Sequence, residues 1–174
     1  MTHAVVLSNR EAGQTLDARA FRSAVGCFPT GVAIVTTSVR GDEPTGLTVN
    51  SFASVSLDPP LVLWCVNKGS DRFRAFTDAD EFVVCLLGRD HQDVSSRLAR
   101  RGARSLSGMD FVPTDLGPPA LSNSLATFEC RKEAIYDGGD HAIIVARVLK
   151  FERHQAAEPL VFHNGSYRAL AKTA

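Results

Sequence analysis

Neither sign of charge is in excess in this sequence. Its 174 residues include 19 Lys plus Arg and 19 Asp plus Glu, so the formal net charge is zero. Proteins that bind nucleic acid or a membrane surface usually carry a basic excess, so this balance argues against both classes. No apolar run approaches the roughly 20 residues that cross a bilayer, and the N-terminus lacks the basic start and apolar core of a secretory signal. We therefore expect a cytoplasmic protein with no nucleic-acid and no membrane partner.

Cysteine is scarce, and the spacing of the cysteines matches no metal-binding or redox motif. The four cysteines are Cys27, Cys65, Cys85 and Cys130, and none forms a C-x-x-C pair. The sequence therefore predicts neither a zinc site nor a redox dithiol. Each cysteine lies in or beside an apolar segment, as is typical of reduced, buried thiols. Also absent is the G-x-G-x-x-G pattern of the common nicotinamide-binding fold, so a nicotinamide dinucleotide would have to be held in another way.

The chain is long enough for one domain with a full core and short for two. Residues 1–14 show no clear period and are predicted to be a flexible tail, and residues 15–174 form the domain. The predicted strands cover 31–39, 44–57, 61–66, 82–87, 126–136, 141–152, 160–163 and 166–170. Short helices are predicted over 15–26 (capped by Thr15 or Asp17), 71–77 (capped by Ser70) and 91–101 (capped by Asp90). Strand follows strand without regular helices between them, which favours a mainly β, mostly antiparallel fold and a barrel.

The stretch from Pro44 to Pro60 carries the most informative pattern. Its residues alternate with a period of two, so a strand would turn the two sets to opposite faces. One set is apolar and predicts a core face: Leu47, Val49, Ala53, Val55 and Leu57. The other set is polar or aromatic and carries no charge: Thr48, Asn50, Phe52, Ser54 and Ser56. Such an uncharged row of donors and acceptors suits a flat heterocycle with a polar edge better than open water.

Three segments together resemble a known family. They are Phe28-Pro29-Thr30-Gly31-Val32, the stretch just described, and Gly139-Asp140-His141. They resemble the short-chain flavin reductases, the reductase components of two-component flavin-dependent monooxygenases, and the likeness extends over about residues 21–170. The resemblance implies an FMN-binding split β-barrel with a few short flanking helices, assembled as a homodimer. It also implies an NAD(P)H-dependent reductase that reduces FAD or FMN and supplies diffusible reduced flavin to a partner monooxygenase.

The resemblance implies positions for the flavin ring. The predicted ring contacts are Thr30, Thr48, Val49, Asn50 and Ser51, with Ser54 in the same group and Cys65 touching the ring through its backbone. Without a ligand, Thr48 and Asn50 would form a polar ladder on an exposed strand face, and Thr30 would be a turn residue after Pro29.

A second set of residues suits the flavin phosphate. Asn67, Lys68 and Ser70 lead from a buried strand into a predicted helix start, where free backbone amides favour an anion. Ser70 as a plain helix cap is the competing account. Arg100 completes the predicted set. It belongs to a run with Arg97, Arg101 and Arg104 that is either a solvated helix end or a grip on a pyrophosphate.

His141 is the predicted catalytic residue, in the sense that it would position the nicotinamide or tune its charge. Hydride transfer between the nicotinamide and the flavin needs no acidic group from the protein, so His141 is not assigned as a general base. The alternative is that His141 has only a structural role. His163 is a weaker candidate. The family often has a phenylalanine near the end of the helix that follows Asp90, where this sequence has Leu98 and Ala99. Phe111, in the loop beyond that helix, could take the place of the missing phenylalanine.

Two other functions stay open at this point: a flavin carrier or sensor without turnover, and a split-barrel oxidase of a small amine. The choices between FAD and FMN, and between NADH and NADPH, also stay open.

Overall fold

The computed structural model of the chain describes residues 16–38, 43–154 and 158–170, so the predicted tail over 1–14 lies outside the described residues. Within these ranges the helices are α1 (Ala18–Gly26), α2 (Phe73–Asp78) and α3 (Gln92–Leu98), with a 3-10 turn at Arg89–His91. The strands in the same ranges are β1 (Thr30–Gly31), β2 (Ala33–Thr37), β3 (Thr45–Val49), β4 (Ala53–Leu57), β5 (Pro60–Asn67), β6 (Glu81–Leu86), β7 (Phe111–Val112), β8 (Ala120–Leu121), β9 (Ala126–Gly138), β10 (His141–Arg153), β11 (Val161–His163) and β12 (Ser166–Arg168).

The main sheet has seven strands in the order β3-β2-β6-β9-β10-β5-β4, all antiparallel to their neighbours. Laid flat, with about 4.8 Å between neighbours, the edge strands β3 and β4 would lie about 29 Å apart. However, only residues 50–52 join them, and the four steps from Val49 to Ala53 reach at most about 14 Å. The sheet must therefore curl until its edges approach. No ladder pairs β3 with β4, although both strands are fully described, so the barrel is split there and the predicted split β-barrel is confirmed.

Alternate residues of β2 and β6 pack on opposite sides of the sheet, which buries these two strands on both faces. The barrel interior contains Val35, Phe82 and Val84 with Trp64, Phe76 and Ile144. A second cluster outside the barrel contains Ile34, Val83 and Cys85 with Leu87, Leu98 and Leu160. The second cluster fixes α3 against the outside of β2 and β3, beside the split.

The motif between residues 44 and 60 is two strands rather than the one predicted. β3 and β4 lie at opposite edges of the sheet, and residues 50–52 carry the chain across the split. The predicted core face therefore ends at Val49, because Ala53, Val55 and Leu57 are exposed, Leu57 by 92%. No glycine or proline marks the crossing, so the alternation of residue types continues although the burial pattern does not.

The helix boundaries differ from the predictions in instructive ways. Asp17 caps α1 as predicted, since its Oδ1 accepts a hydrogen bond of 2.8 Å from the Arg19 amide, while Thr15 lies outside the described residues. The helix predicted over 91–101 is shorter, and the Asp90 side chain does not cap it. The helix predicted after Ser70 begins two residues later than expected, at Phe73, with no side-chain cap.

The hairpins agree better with the sequence. β9 and β10 are 13 residues long each, pair with each other along their length and extend slightly beyond the predicted bounds. Asn164 and Gly165 have φ values of 49° and 73°, as expected for the Asn-Gly turn that joins β11 to β12.

All four cysteines are free thiols, but only part of the burial prediction is right. Cys85 and Cys130 are buried, and burial raises the pKa of each thiol to about 12. Cys65 is half-buried, and Cys27 is exposed at the end of α1, a helix in which no residue is buried. None of the described helices is long and apolar enough to cross a membrane.

Candidate active site

A cavity of about 370 Å³ opens beside the split in the barrel. It brings together eight of the residues predicted from the sequence: Thr48, Val49, Asn50, Ser51, Cys65, Asn67, Ser70 and His141. Its other lining residues are Leu47, Gly69, Asp71, Arg72, Ala99 and Arg101. A larger cavity of about 960 Å³ lies between the β7–β8 hairpin and β9–β10, and none of the predicted site residues lines it.

One wall of the smaller cavity is the end of β3. The Thr48 hydroxyl donates to the Ser95 carbonyl of α3 at 2.8 Å, so this side chain fastens α3 to β3 and keeps only acceptor capacity for a ligand. Val49 is 6% exposed and belongs to the barrel core. Asn50 is exposed, and its side-chain amide makes none of the hydrogen bonds found among the described residues. Its donors and acceptor are therefore available to a bound molecule.

The crossing segment is fastened to β5 by one side chain. Ser51 Oγ accepts a hydrogen bond of 2.9 Å from the Cys65 amide. Cys65 lies beyond Leu63, where the pairing of β5 with β4 ends, so Ser51 takes the place of a strand partner there. Cys65 is half-buried, opposite Ile143 of β10. The wall from β3 to β5 is thus built from neutral groups.

The turn between β5 and α2 closes another side, but not as predicted. The Lys68 amide donates to the Asp140 carbonyl at 2.9 Å, and the Ser70 amide donates to the Asn67 carbonyl at 2.9 Å. The Gly69 amide donates to Asn67 Oδ1 at 2.7 Å. These amides are therefore not free for an anion, because the turn satisfies them itself. In addition, α2 has only six residues. An anion in this cavity would depend on side chains.

The Lys68 ammonium points away from the cavity. It forms an ion pair with Asp137 in the β9–β10 hairpin, and the hydrogen bond from Lys68 lowers the pKa of the Asp137 carboxyl. Lys68 instead lines a neighbouring cavity of about 850 Å³, which Ser70 and Asp71 also line.

His141 lies at the start of β10, opposite Asn67 of β5. Its Nδ1 is 2.7 Å from Asp140 Oδ1, and the side chain is 40% exposed. The hydrogen bond from His141, followed by its charge, lowers the pKa of the Asp140 carboxyl. Since Asp140 engages Nδ1, Nε2 is the ring nitrogen left for a bound molecule. Asp140 thus orients the ring.

Arg72 is the residue that sequence reasoning missed. Its side chain is 3% exposed, and its guanidinium donates to four backbone carbonyls: Gly46 at 2.9 Å, Leu98 at 2.7 Å, Ala103 at 3.1 Å and Arg100 at 3.0 Å. Burial lowers the pKa of this guanidinium, and the neighbouring Asp71 carboxylate opposes that shift. Arg72 therefore ties β3, the end of α3 and the following loop together beneath the cavity. An arginine in the first turn of a predicted helix gives no sign of this in the sequence.

Asp71 completes the same network. Its Oδ2 accepts from the Gly102 amide at 3.0 Å and from Arg104 Nε at 3.1 Å. Burial raises the pKa of this carboxyl, but the bonds from Arg104 and Gly102 and the charge of Arg72 outweigh burial, and the pKa falls below its ordinary value. Asp71 is therefore an anion held by two arginines.

The other predicted residues lie away from this cavity. Thr30 pairs with Phe162 in the three-stranded sheet β1-β11-β12, and its buried hydroxyl has no partner among the described residues. Ser54 is exposed on β4, opposite Val62. Arg100 is exposed and contributes its carbonyl to Arg72, whereas the next residue, Arg101, lines the cavity.

The chain is similar in sequence and in fold to known proteins. A family model described as a flavin reductase-like domain matches residues 25–171. The chain is 46% identical to the FMN reductase (NADH) SmoA of Agrobacterium fabrum over 156 residues, which is 90% of this chain and 88% of that protein. It is 37% identical to HsaB, the reductase subunit of a flavin-dependent monooxygenase from Mycobacterium tuberculosis, over 89% of this chain and 83% of that protein. The solved structure of SgcE6 from Streptomyces globisporus, an NADH:FAD oxidoreductase in complex with NAD and FAD fragments, superposes with a TM-score of 0.85 at 35% identity, over 93% of this chain and 99% of that one.

Proposed function

The chain belongs to the flavin reductase-like family, and from that premise we propose that the cavity beside the split is where its two substrates meet. The protein is an NAD(P)H-dependent flavin reductase, which takes a hydride from the nicotinamide and passes it to FAD or FMN. The single observation that carries the site is the convergence of the family's central motif, the β5–α2 turn and His141 on one cavity.

The cavity suits a flavin ring in size and chemistry. Its volume of about 370 Å³ is within the usual range for small-molecule sites. The wall from Asn50 to Cys65 is neutral, and the unengaged Asn50 amide can both donate to and accept from the polar edge of an isoalloxazine. Ser51 and Thr48 contribute chiefly by fixing this wall, since each already makes a hydrogen bond to backbone.

In this proposal the protein supplies placement, while the flavin and the nicotinamide supply the hydride chemistry themselves. His141 lies on the rim of the cavity with Nε2 free, and Asp140 holds its ring. We assign His141 to positioning the nicotinamide. His141 does not have to donate or accept a proton during the hydride transfer.

Assembly and partners are further parts of the proposal. Large apolar side chains are exposed on α1, on the edge strand β4 and on β10, among them Phe21, Val25, Leu57 and Phe151. Their exposure supports the homodimer that the family resemblance implies. Relatives are named as reductase subunits of monooxygenases, which supports a monooxygenase as the consumer of reduced flavin. Four free thiols support a cytoplasmic location.

The experiment is a steady-state assay of the purified protein under nitrogen. With NADH or NADPH and a molar excess of FMN or FAD, both nicotinamide oxidation and flavin bleaching are expected to continue through many turnovers. Oxidation of no more than one equivalent of nicotinamide per protein would identify a flavin carrier and overturn the reductase. Equilibrium titration with FMN and FAD then assigns the preferred flavin, since the relatives include an FMN reductase and an NADH:FAD oxidoreductase.

A further inference from the structure

We propose that Tyr167 is a positioning residue of the flavin site and that it acts through Ser95 on the wall of the cavity. The inference rests on the function proposed above, since it concerns how that wall is held in place. Tyr167 belongs to β12, in the small sheet β1-β11-β12, and neither Tyr167 nor Ser95 lines the cavity itself. Any effect of Tyr167 on flavin binding is therefore indirect.

Ser95 is bonded on two sides. It lies in α3 with 0% of its surface exposed. Its hydroxyl oxygen is 2.8 Å from the phenol oxygen of Tyr167, and its carbonyl accepts a hydrogen bond of 2.8 Å from the Thr48 hydroxyl. The first contact joins α3 to β12 and the second joins α3 to β3. One buried residue of α3 thus links the small sheet to the cavity wall.

The Ser95 carbonyl supports two of the residues that line the cavity. Besides the Thr48 hydroxyl, it accepts a hydrogen bond of 3.0 Å from the amide of Ala99, at the end of α3. Thr48 and Ala99 both line the cavity. Because the Thr48 proton is given to this carbonyl, the Thr48 oxygen can only accept from a ligand, in a direction that the carbonyl sets. A shift of Ser95 would therefore displace both lining residues.

The surroundings of this contact explain why it fixes a position rather than merely filling space. Tyr167 packs on Phe162 with the ring centroids 5.5 Å apart, and both rings lie against the apolar cluster that contains Leu98. Burying a hydroxyl there costs free energy unless the hydroxyl is bonded, whereas an apolar pair of the same shape can be nearly neutral. What the two hydroxyls add is a preferred distance and direction between β12 and α3.

The experiment measures the dissociation constant of FMN by fluorescence, with the full chain, at a temperature well below the melting temperature of every variant. Tyr167→Phe removes one oxygen and keeps the ring that packs on Phe162. We expect this change to weaken FMN binding about twofold to tenfold, the range for one neutral hydrogen bond. Ser95→Ala removes the other half of the contact and should give a similar loss. The KM for the nicotinamide should stay within about twofold in both variants.

A double-mutant cycle separates positioning from a general structural role. In a Thr48→Val background the hydroxyl that contacts the Ser95 carbonyl is absent, so adding Tyr167→Phe should change FMN affinity by less than about twofold. A purely structural role would give the same loss in both backgrounds. Likewise, Tyr167→Phe combined with Ser95→Ala should lose no more affinity than either change alone. The matched control is Tyr136→Phe, since Tyr136 is the other of the two tyrosines and is 58% exposed on β9.

Four results overturn the inference: no loss of FMN affinity in Tyr167→Phe, an equal loss in Tyr136→Phe, an equal loss with and without Thr48→Val, or additive losses from Tyr167→Phe and Ser95→Ala. The last two comparisons are independent, so the inference stays testable if one double variant does not fold. Turnover of the unaltered protein separates the two levels. A wild-type chain that reduces no flavin refutes the proposed function, whereas normal turnover with any of these four results refutes only the role of Tyr167.

Discussion

Replacement of Arg72 by methionine is the sharpest test of how the site is supported. The substitution keeps an unbranched chain of similar length but removes a guanidinium that binds four carbonyls and faces Asp71. Each hydrogen bond that involves a charged group makes a net contribution to stability of about 1.5–3 kcal/mol. The cost of burying the charge offsets much of that sum, and removing one partner from a buried charged network costs about 3–5 kcal/mol.

We therefore expect Arg72→Met to lower the free energy of unfolding by about 3–5 kcal/mol. At about 2–4 °C per kcal/mol for a chain of this length, the melting temperature should fall by about 6–20 °C. The measurements are urea unfolding and thermal melting followed by circular dichroism. Because domains of this size are stable by about 5–15 kcal/mol, the variant should still fold at low temperature.

The matched control is Arg74→Met, since Arg74 is two residues further along the same segment and exposed on α2. Its unfolding free energy should change by less than about 0.5 kcal/mol. A melting temperature for Arg72→Met within about 2 °C of the wild type, or an equal fall in Arg74→Met, would refute the account of the carbonyl network.

Three further outcomes follow from the cavity. Asn50→Leu should weaken flavin binding several-fold with an unchanged melting temperature, and unaltered affinity would show that the ring lies elsewhere. Bound FMN should slow alkylation of Cys65, which lines the cavity, but not of the exposed Cys27, and equal protection of both would contradict the site. Asp140→Asn should raise the KM for the nicotinamide and leave flavin affinity unchanged, and the reverse pattern would reject its role in orienting His141. The hydrogen bond from His141 lowers the pKa of the Asp140 carboxyl. The contact between the Asp140 carboxylate and His141 is therefore complete at pH values above the ordinary carboxyl pKa of about 3.9, and it is lost as the pH falls through the lower pKa of the folded protein. Asp140→Asn should lack that acid-dependent loss of affinity.

Part of the fold could be predicted because its signals are local. The β-branched residues of β2, the apolar runs of β5 and β6, and the Asn164-Gly165 turn each specify their own conformation, whatever lies around them. A succession of such strands with few helices has few solutions other than a barrel or sandwich. Residues 50–52 show the limit of this reasoning. The alternation of residue types passes through them unbroken, whereas the chain there leaves one sheet edge for the other.

The candidate site divides in the same way. The motif residues Thr48 to Ser51 and His141 could be named from their types and from the family resemblance, and the structure brings them to one cavity. The choice between Arg100 and Arg101 could not be made, since the two are adjacent, identical in type and both near a helix end. Nor could the sequence tell that the amides of the β5–α2 turn are already bonded.

The sequence, through its periodicity and the family resemblance, determined most of the strands and the split-barrel fold, and it predicts that the motif over residues 44–60 binds a flavin. Only the tertiary structure decided which polar groups are still available to a ligand and which are used within the protein. The physical reason is distance along the chain: Arg72 binds the carbonyl of Gly46, 26 residues before it, and that of Leu98, 26 residues after it. No local pattern records such a contact, because it exists only once the barrel has brought the three segments together.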